Sequence, residues 1–306
     1  MRLSRTLALG ASMLVLLGAC STGGGGSSKP TIKIGSDGFD EARVVAEVYA
    51  QVLEANGYTI DRAGIGLGAR KVTAAALESG QIDLKPEYIG SGLVFYGGAA
   101  SSDPAKNQTD LQAKLTSVGG GITVFGFTPG QDTNALVVTK ETADANSLTK
   151  WSDLTAVADK LKWGLATDCP TNPVCAAALK DAYGIDVSAI DVTLLDACST
   201  PMADALKAGT IQVAELCSTG PEIIVNGWVR LDDDKKTQPA DAIAPIVRND
   251  LLAKVGDKAA FQKLLDDVSA KIDTATLADL YKQVSVDKKD TKDVASTWLK
   301  AQGIVK

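Results

Sequence analysis

Residues 82–91, IDLKPEYIGS, carry the pattern on which the fold prediction rests. Ile82 to Leu84 is typical of a short buried strand, and Pro86 should end its ladder because proline has no N–H to donate. Gly90 then allows a tight turn into an apolar run that is typical of a helix. In open α/β sheets, ligands bind where such strands end and free N–H groups face a crevice.

Two side chains of this stretch are candidates for ligand binding. Tyr88 offers a flat ring at the predicted crevice, and Ser91 offers a hydroxyl. The alternative is that Tyr88 only packs in the core and that Ser91 only caps the following helix. The spacing alone leaves both interpretations open.

The chain before this stretch alternates between strand and helix patterns. Thr31 to Gly35 and Tyr58 to Ile65 are predicted strands, and Gly66 and Gly68 are expected to end the second one. One helix is predicted between these strands because apolar residues recur at helical spacing, and another is predicted over Arg70 to Ser79. Strands that alternate with helices are typical of a parallel sheet with covering helices.

A second α/β set follows, and the chain then returns towards the first. This order predicts an α/β fold with two lobes, in which the second lobe is inserted into the first. Lobe I would comprise residues 31–134 and 241–306, and lobe II would comprise residues 135–240. Two crossover strands near residues 134 and 241 would form a hinge on which the lobes close around a ligand.

Composition limits the possible classes of function. The chain has 306 residues, 45% hydrophobic and 22% charged, which is an ordinary globular composition and enough for two domains. It has no histidine, which disfavours most acid–base catalysis, and a net charge of −6, which disfavours nucleic acid as a partner. Neither nucleotide-binding glycine motif is found in a suitable place. We therefore predict a binding protein without enzymatic activity, cofactor or metal.

The N-terminal segment predicts export and a lipid anchor. A basic start precedes an apolar run, Leu7 to Leu17, that is too short to span a bilayer. Residues 17–20 are LGAC, which matches the lipobox of bacterial lipoproteins. We predict a signal peptide over residues 1–19, a lipid on Cys20 and a flexible tether over residues 20–30, so the protein would lie outside the cytoplasm, attached to the cell membrane by lipid alone. The alternative is an ordinary secretory signal with a chance cysteine.

Four further cysteines are expected to form two disulfides outside the cytoplasm, with three possible pairings. Cys169 and Cys175 lie in one proline-containing loop, so we pair them with each other. Cys198 and Cys217, at the ends of two predicted strands, form the second pair. A metal site is the alternative, but the sequence has no histidine and no CxxC motif to favour it.

Five segments resemble, in order, the substrate-binding proteins of bacterial osmoprotectant ABC transporters, which bind glycine betaine, choline or carnitine. The segments are IGSDGFDEARVVAEVYAQVLEANGY, IDLKPEYIGS, LKDAYGIDV, ALKAGTIQVAELCST and IAPIVRNDLL, and the resemblance runs from about Lys33 to the C-terminus. It implies a type II-like periplasmic-binding-protein fold that captures a small-molecule ligand between its lobes. It also implies delivery to a permease driven by an ATPase, and we expect a monomer.

The resemblance also implies a ligand site. In the family, tyrosines hold a quaternary ammonium by cation–π contact and basic residues hold a carboxylate. Tyr88 and Ser91 match a family tyrosine and threonine. At the other matched positions this chain differs from the family: a lysine is replaced by Asp37, a tyrosine by Asn134, an arginine by Asn172, an aromatic residue by Cys217, and a tyrosine by Asp241.

These replacements predict an unusual ligand. A betaine carboxylate that faced Asp37 without a basic partner would be repelled, at a cost of several kcal/mol. Asp37 and Asp241 would suit a cation without an acid group, such as choline or a polyamine. Together with the two asparagines and Tyr88, they would also suit a neutral polyhydroxylated ligand. The alternative is that both aspartates are solvated loop residues outside the cleft.

Two other classes of function stay open at this stage. One is a surface receptor or sensor lipoprotein of the same fold that signals the ligand state to a partner protein. The other is an enzyme built from Asp37, Asp241 and Cys217, although a thiol nucleophile needs an activating base, which is usually histidine.

Overall fold

The computed structural model describes residues 29–196 and 198–306. The predicted signal peptide, the lipidation site Cys20 and nearly all of the tether lie outside these residues. None of the helices within them is long and apolar enough to cross a membrane.

The described strands form two five-stranded sheets. In chain order they are β1 (Thr31–Asp37), β2 (Thr59–Gly68), β3 (Leu84–Tyr88), β4 (Ile122–Val124), β5 (Asn134–Val138), β6 (Lys162–Ala166), β7 (Asp191–Leu195), β8 (Val213–Cys217), β9 (Val229–Arg230) and β10 (Ile243–Arg248).

The strand order shows how the two sheets divide the chain. The first sheet has the order β2-β1-β3-β10-β4, and the second has the order β7-β6-β8-β5-β9. The first sheet thus takes strands from both ends of the described chain, whereas the second takes its strands from the middle. Each sheet with its helices is a lobe, so the α/β, two-lobed fold with an inserted second lobe is present as predicted. The residue boundaries given above for lobe I and lobe II stay a prediction.

Both sheets mix parallel and antiparallel neighbours. In lobe I, β1 is parallel to β2 and β3, while β10 lies antiparallel between β3 and β4. In lobe II, β6 is parallel to β7 and β8, while β5 is antiparallel to β8 and β9. The antiparallel strands β5 and β10 are the ones that follow a crossing between the lobes.

Helices cover the sheets. In chain order the α-helices are α1 (Asp40–Ala55), α2 (Arg70–Ser79), α3 (Ile89–Phe95), α4 (Pro104–Leu115), α5 (Lys140–Asn146), α6 (Trp151–Leu154), α7 (Ala178–Tyr183), α8 (Thr200–Lys207), α9 (Pro221–Asn226), α10 (Asn249–Leu252), α11 (Lys258–Ser269), α12 (Thr274–Ser285) and α13 (Thr291–Ala301).

Helix α1 is the centre of the lobe I core. Its predicted apolar face, which includes Val44, Val48 and Leu53, is completely buried. It packs with residues of α11, α12 and α13 on one face of the sheet, and α2, α3 and α4 form a separate cluster on the other face. Each fully buried Val or Leu stabilises the fold by roughly 1.5–3 kcal/mol relative to an exposed one.

Two predicted strand ends are wrong. Pro86 lies within β3 and faces Pro245 of β10. In an antiparallel ladder, alternate residue pairs make no hydrogen bond to each other, so two opposed prolines cost no bond between these strands. Gly66 and Gly68 likewise lie within β2, where the register against β1 shifts instead of ending. These proline and glycine residues therefore do not end their strands.

Both disulfides lie in lobe II. Cys169 is bonded to Cys175 and Cys198 to Cys217, with Cα–Cα distances of 5.1 and 5.0 Å. Cys217 is therefore oxidised and has no thiol to act as a nucleophile, which removes the main support for the enzyme alternative.

Candidate ligand-binding site

The two crossover segments lie side by side between the lobes. One joins β4 to β5 and the other joins β9 to β10. Gln131 and Ala242 form an antiparallel bridge, and the backbone N–H of Asp132 donates to the backbone oxygen of Asp241 at 3.1 Å. Asp132 and Asp241 therefore lie close together, although they belong to different crossover segments.

A cavity of about 470 Å³ opens beside the crossover segments, a volume that suits a small ligand. Lobe I supplies Arg70, Ser91 and Phe95, and lobe II supplies Val174. The crossover segments contribute five polar residues, which are Asp132, Thr133, Asn134, Gln238 and Asp241. The charged lining thus consists of two carboxylates and one guanidinium.

Asp241 fixes the lobe I turn that precedes α3. Its Oδ1 accepts hydrogen bonds from the N–H of Gly90 at 2.8 Å and of Ser91 at 3.1 Å. A Cβ on Gly90 would lie 2.4 Å from the oxygen of Ala240, so this approach requires glycine. Burial raises the pKa of Asp241 to about 7, although hydrogen bonds from Ser91 and Gly90 act in the opposite direction. Asp241 thus lines the cleft, and the alternative that it is a solvated loop residue is wrong.

Arg70 is the cation of the cavity. Its Nε donates to Glu87 Oε1 at 3.0 Å and its Nη2 donates to Ser91 Oγ at 2.6 Å. The Nη1 atom has no hydrogen-bond partner among the residues that the structure describes, and the side chain is 24% exposed. Arg70 can therefore offer donors to an acidic group in the cavity. The cavity thus contains a basic side chain, although the two basic residues of the family are replaced at the matched positions by Asp37 and Asn172.

Asp37 has a basic partner, which corrects the prediction that it would face a ligand unpaired. Its Oδ1 accepts a hydrogen bond from Lys85 Nζ at 2.9 Å, and Lys85 also donates to Glu87 Oε2 at 3.0 Å. Lys85 is completely buried and Asp37 is 5% exposed, so neither is a solvated loop residue. With Arg70, these groups alternate in sign, and two cations balance two carboxylates.

Tyr88 lies behind the cavity wall and is not among the lining residues. Its side chain is buried, and its hydroxyl donates to Glu41 Oε1 at 2.5 Å. Its ring centroid is 5.5 Å from that of Phe39. Phe39 is 42% exposed and, with Asp37 and Arg70, lines a shallow depression next to the cavity. The half-exposed rings at this edge of lobe I are therefore those of Phe39 and Phe95.

The other predicted site residues are dispersed. Asn134 begins β5 and lines the cavity, where it pairs in register with Cys217 of β8. Asn172 is bound within its own loop, because its Oδ1 accepts from the N–H of Val174 at 3.0 Å and its Nδ2 donates to Asp168 at 3.2 Å. Val174, rather than Asn172, reaches the cavity from this loop.

Comparison with known proteins identifies the family. A model of the substrate-binding domain of ABC-type glycine betaine transport systems matches residues 30–301. The chain belongs to this family. The resemblance noted in the sequence is therefore confirmed, and the chain is the extracytoplasmic solute-binding component of an ABC transporter.

Individual relatives of this binding domain agree with the assignment. The glycine betaine-binding protein YehZ of Escherichia coli K12 is 28% identical over 309 residues, which cover 98% of this chain and 99% of YehZ. The carnitine transport binding protein OpuCC of Listeria monocytogenes is 27% identical over 269 residues, which cover 84% of this chain and 83% of OpuCC. The solved structure of apo YehZ has the same fold, with a TM-score of 0.77 at 24% identity, over 90% of this chain and 99% of that chain.

The sequence did not predict that Asp132, Arg70 and Phe95 would line this cavity. Asp132 could have been identified from the sequence, since it lies two positions before Asn134 in the predicted crossover. The sequence indicated Arg70 less clearly, through its position as the first residue of the helix that follows β2. Nothing in the sequence indicated Phe95, because it belongs to an apolar helix of the kind that usually packs in the hydrophobic core.

A second cavity of the binding domain, of about 350 Å³, shares Thr133, Asn134 and Gln238 with the first. Its other lining residues include Trp151, Arg230 and Asp232, and none comes from α2 or α3. It thus lacks the lobe I turn at Gly90 and Ser91, and the first cavity is the candidate ligand site.

Proposed function

We propose that this chain is the lipid-anchored binding protein of an osmoprotectant-type importer and that its ligand is a zwitterionic quaternary amine of the glycine betaine or carnitine class. The observation that carries the proposal is one cavity in which Arg70 lies with Asp132 and Asp241. Such a ligand has a cationic end and an acidic end, and the cavity has groups for both. The names of the relatives YehZ and OpuCC support this class of ligand.

The cationic end would be bound through charge and ring contact. A quaternary ammonium has no N–H to donate, so it is attracted by carboxylates and by aromatic faces rather than by hydrogen bonds. Asp132 and Asp241 supply the negative charge, and Phe95 supplies a ring, for which cation–π contact contributes roughly 0.5–2 kcal/mol. This arrangement differs from a tyrosine cage because charge replaces most of the rings.

The acidic end would be bound by Arg70. A guanidinium presents a planar fork of donors that matches a carboxylate. Glu87 and Ser91 already hold two of its nitrogens and fix its orientation, so little side-chain freedom is lost when a ligand binds. The reason for expecting a ligand without an acid group was the absence of a cation, and Arg70 removes that reason.

The relatives reported above are named for binding or transport, which supports an importer over the receptor and enzyme alternatives. The proposal includes a lipid on Cys20, a tether over residues 20–30 and a monomer that delivers its ligand to the permease. Lobes with the boundaries 31–134 plus 241–306 and 135–240 would close on the two crossover segments.

Calorimetry on the purified mature chain tests the ligand class. Glycine betaine and carnitine should bind, and Arg70→Gln should weaken both by about tenfold or more while choline, which has no carboxylate, changes little. Arg230→Gln in the second cavity is the matched control and should leave glycine betaine binding unchanged. Binding of choline or a polyamine alone, or of a polyol alone, would contradict the proposal.

A further inference from the structure

Lobe II reaches the candidate ligand cavity through one residue outside the crossover segments. Among the residues that the structure describes, this residue is Val174, which is half-buried. The apolar lining from lobe I includes Val94 and Phe95. Because Val174 is the one side chain that lobe II places here away from the crossover segments, its size and position determine how much room a ligand has between the lobes.

Val174 belongs to a short loop that a disulfide closes. The bond joins Cys169 to Cys175, which are six positions apart and both buried. Pro173–Ala177 form a single π-helical turn, a feature that is frequent at functional sites. The covalent ring and the fixed φ of Pro173 leave the backbone of Val174 little freedom.

The backbone polar groups of Val174 are both bonded to side chains. Its N–H donates to Asn172 Oδ1 at 3.0 Å, and its oxygen accepts from Gln238 Nε2 at 2.8 Å. Gln238 lies in the crossover segment that precedes β10, and it also lines the cavity. Its hydrogen bond therefore joins the disulfide loop of lobe II to the segment on which the lobes are expected to turn.

Gln238 is itself held in place by lobe II. It is 9% exposed, and its backbone N–H donates to Asp233 Oδ2 at 2.8 Å. Asp233 also accepts a hydrogen bond from the hydroxyl of Tyr183, a residue of α7 that is part of the lobe II core. The support of Val174 thus extends from the core of lobe II to the edge of the cavity.

A valine can select a ligand only by shape. Glycine betaine and carnitine both have a quaternary ammonium at one end and a carboxylate at the other, so Arg70, Asp132 and Asp241 offer the same contacts to each. Carnitine differs by its longer chain. In an apolar pocket, one methylene group typically changes affinity by about 10–200-fold. An apolar side chain at a fixed position can therefore distinguish ligands that the charged groups cannot.

We propose that Val174 is a specificity-determining residue, which limits the length of the zwitterionic quaternary amine that the cavity accepts. Gln238 and the Cys169–Cys175 bond are positioning elements, because they hold Val174 at the edge of the cavity. The proposal rests on the proposed function in that the ligand occupies this cavity. It assigns lobe II a steric role at the loop where the family has a basic residue, which is Asn172 in this chain.

Calorimetry on the mature chain tests the role of Val174 through the ratio of carnitine affinity to glycine betaine affinity. Val174→Ala should raise this ratio by about tenfold, and Val174→Leu should lower it by about tenfold. Val225→Ala changes an exposed valine of lobe II that does not line the cavity, and it should leave the ratio as in the wild type. An unchanged ratio in both Val174 variants would overturn the proposal, because a purely structural role would affect both ligands equally.

Gln238→Leu tests the positioning role, because leucine cannot donate to the oxygen of Val174. The ratio should rise as it does in Val174→Ala, since Val174 is then free to move away from a longer ligand. Adding Gln238→Leu to Val174→Ala should raise the ratio no further, because both changes act through the same side chain. Replacement of Cys169 and Cys175 together by serine should also raise the ratio. Additive effects of Val174→Ala and Gln238→Leu would overturn the positioning role of Gln238.

Hydrogen exchange of the ligand-free chain separates failure of this inference from failure of the proposed function. The amide of Val174 should exchange about tenfold faster in Gln238→Leu than in the wild type, and Val225→Ala should leave its rate unchanged. An unchanged rate in Gln238→Leu would overturn the positioning role whether or not a ligand binds. If neither amine binds to the wild type, the proposed function fails and the specificity role fails with it. If both bind and the Val174 variants keep the wild-type ratio, only this inference fails.

Discussion

Lys85 Nζ lies 2.9 Å from Asp37 Oδ1, and neither side chain reaches solvent to any large extent. The second partner of Lys85 is Glu87, at 3.0 Å. A cation that holds two carboxylates in the interior cannot be removed without leaving negative charge unpaired in a medium of low dielectric constant. The charge network behind the cavity therefore determines the stability of lobe I as well as the position of Arg70.

Lys85→Met should destabilise the protein by roughly 3–5 kcal/mol, because it leaves Asp37 and Glu87 buried without their cation. The measurement is urea unfolding followed by circular dichroism. Lys106→Met is a matched control, since Lys106 forms an exposed pair with Asp110, and it should change the unfolding free energy by roughly 1 kcal/mol or less. Equal effects of the two variants would show that the Lys85 network contributes no more than a surface ion pair.

Gly90→Ala should weaken ligand binding, because its Cβ would meet the oxygen of Ala240 at 2.4 Å and push the turn away from Asp241. The expected loss of glycine betaine affinity is about tenfold or more, measured by calorimetry. Gly38→Ala is the control: its nearest contact would be an ordinary 3.4 Å from Gly68. If Gly90→Ala binds as the wild type does, the bond from Gly90 to Asp241 does not shape the cavity.

The sequence predicted the elements well because these depend on local patterns. The apolar spacing in α1 and the glycine after Ser79 set a helix face and a helix end, and both hold in the structure. The error at Pro86 has a different origin, since whether a proline ends a strand depends on its neighbour. Here the neighbour, β10, begins at Ile243, far along the chain.

The site was harder to predict because its contacts are distant in sequence. Asp37 and Lys85 are separated by 48 positions and meet because β3 lies beside β1. The alignment showed that Asp37 replaces a lysine of the family. It could not show that Lys85 is the ion-pair partner of Asp37. The same holds for Gly90 and Asp241, which lie 151 positions apart. The charged residues near a site can be listed from the sequence. Which of them form ion pairs depends on the order of the strands in the sheet.

Reduction of both disulfides should loosen lobe II, since Cys169–Cys175 and Cys198–Cys217 both lie within it. The expected loss is roughly 2–4 kcal/mol per bridge, because the reduced chain has more freedom when unfolded. The melting temperature is measured with and without a strong reductant, and thiol titration establishes that reduction is complete. An unchanged melting temperature in fully reduced protein would show that neither bridge stabilises the fold.

The stability of the wild-type protein should depend on pH through Glu41. Burial raises the pKa of this group from 4.5 to about 8, so the folded chain holds a proton that the unfolded chain releases between these values. Stability is therefore fully present below about pH 4.5 and is lost as the pH rises towards 8. The measurement is the melting temperature of wild type minus that of Glu41→Gln, because titrating groups distant from Glu41 cancel in this difference. The difference should fall by several degrees between pH 5 and pH 8.5 and then level off; a flat difference would mean that Glu41 is ionised in the folded protein at neutral pH.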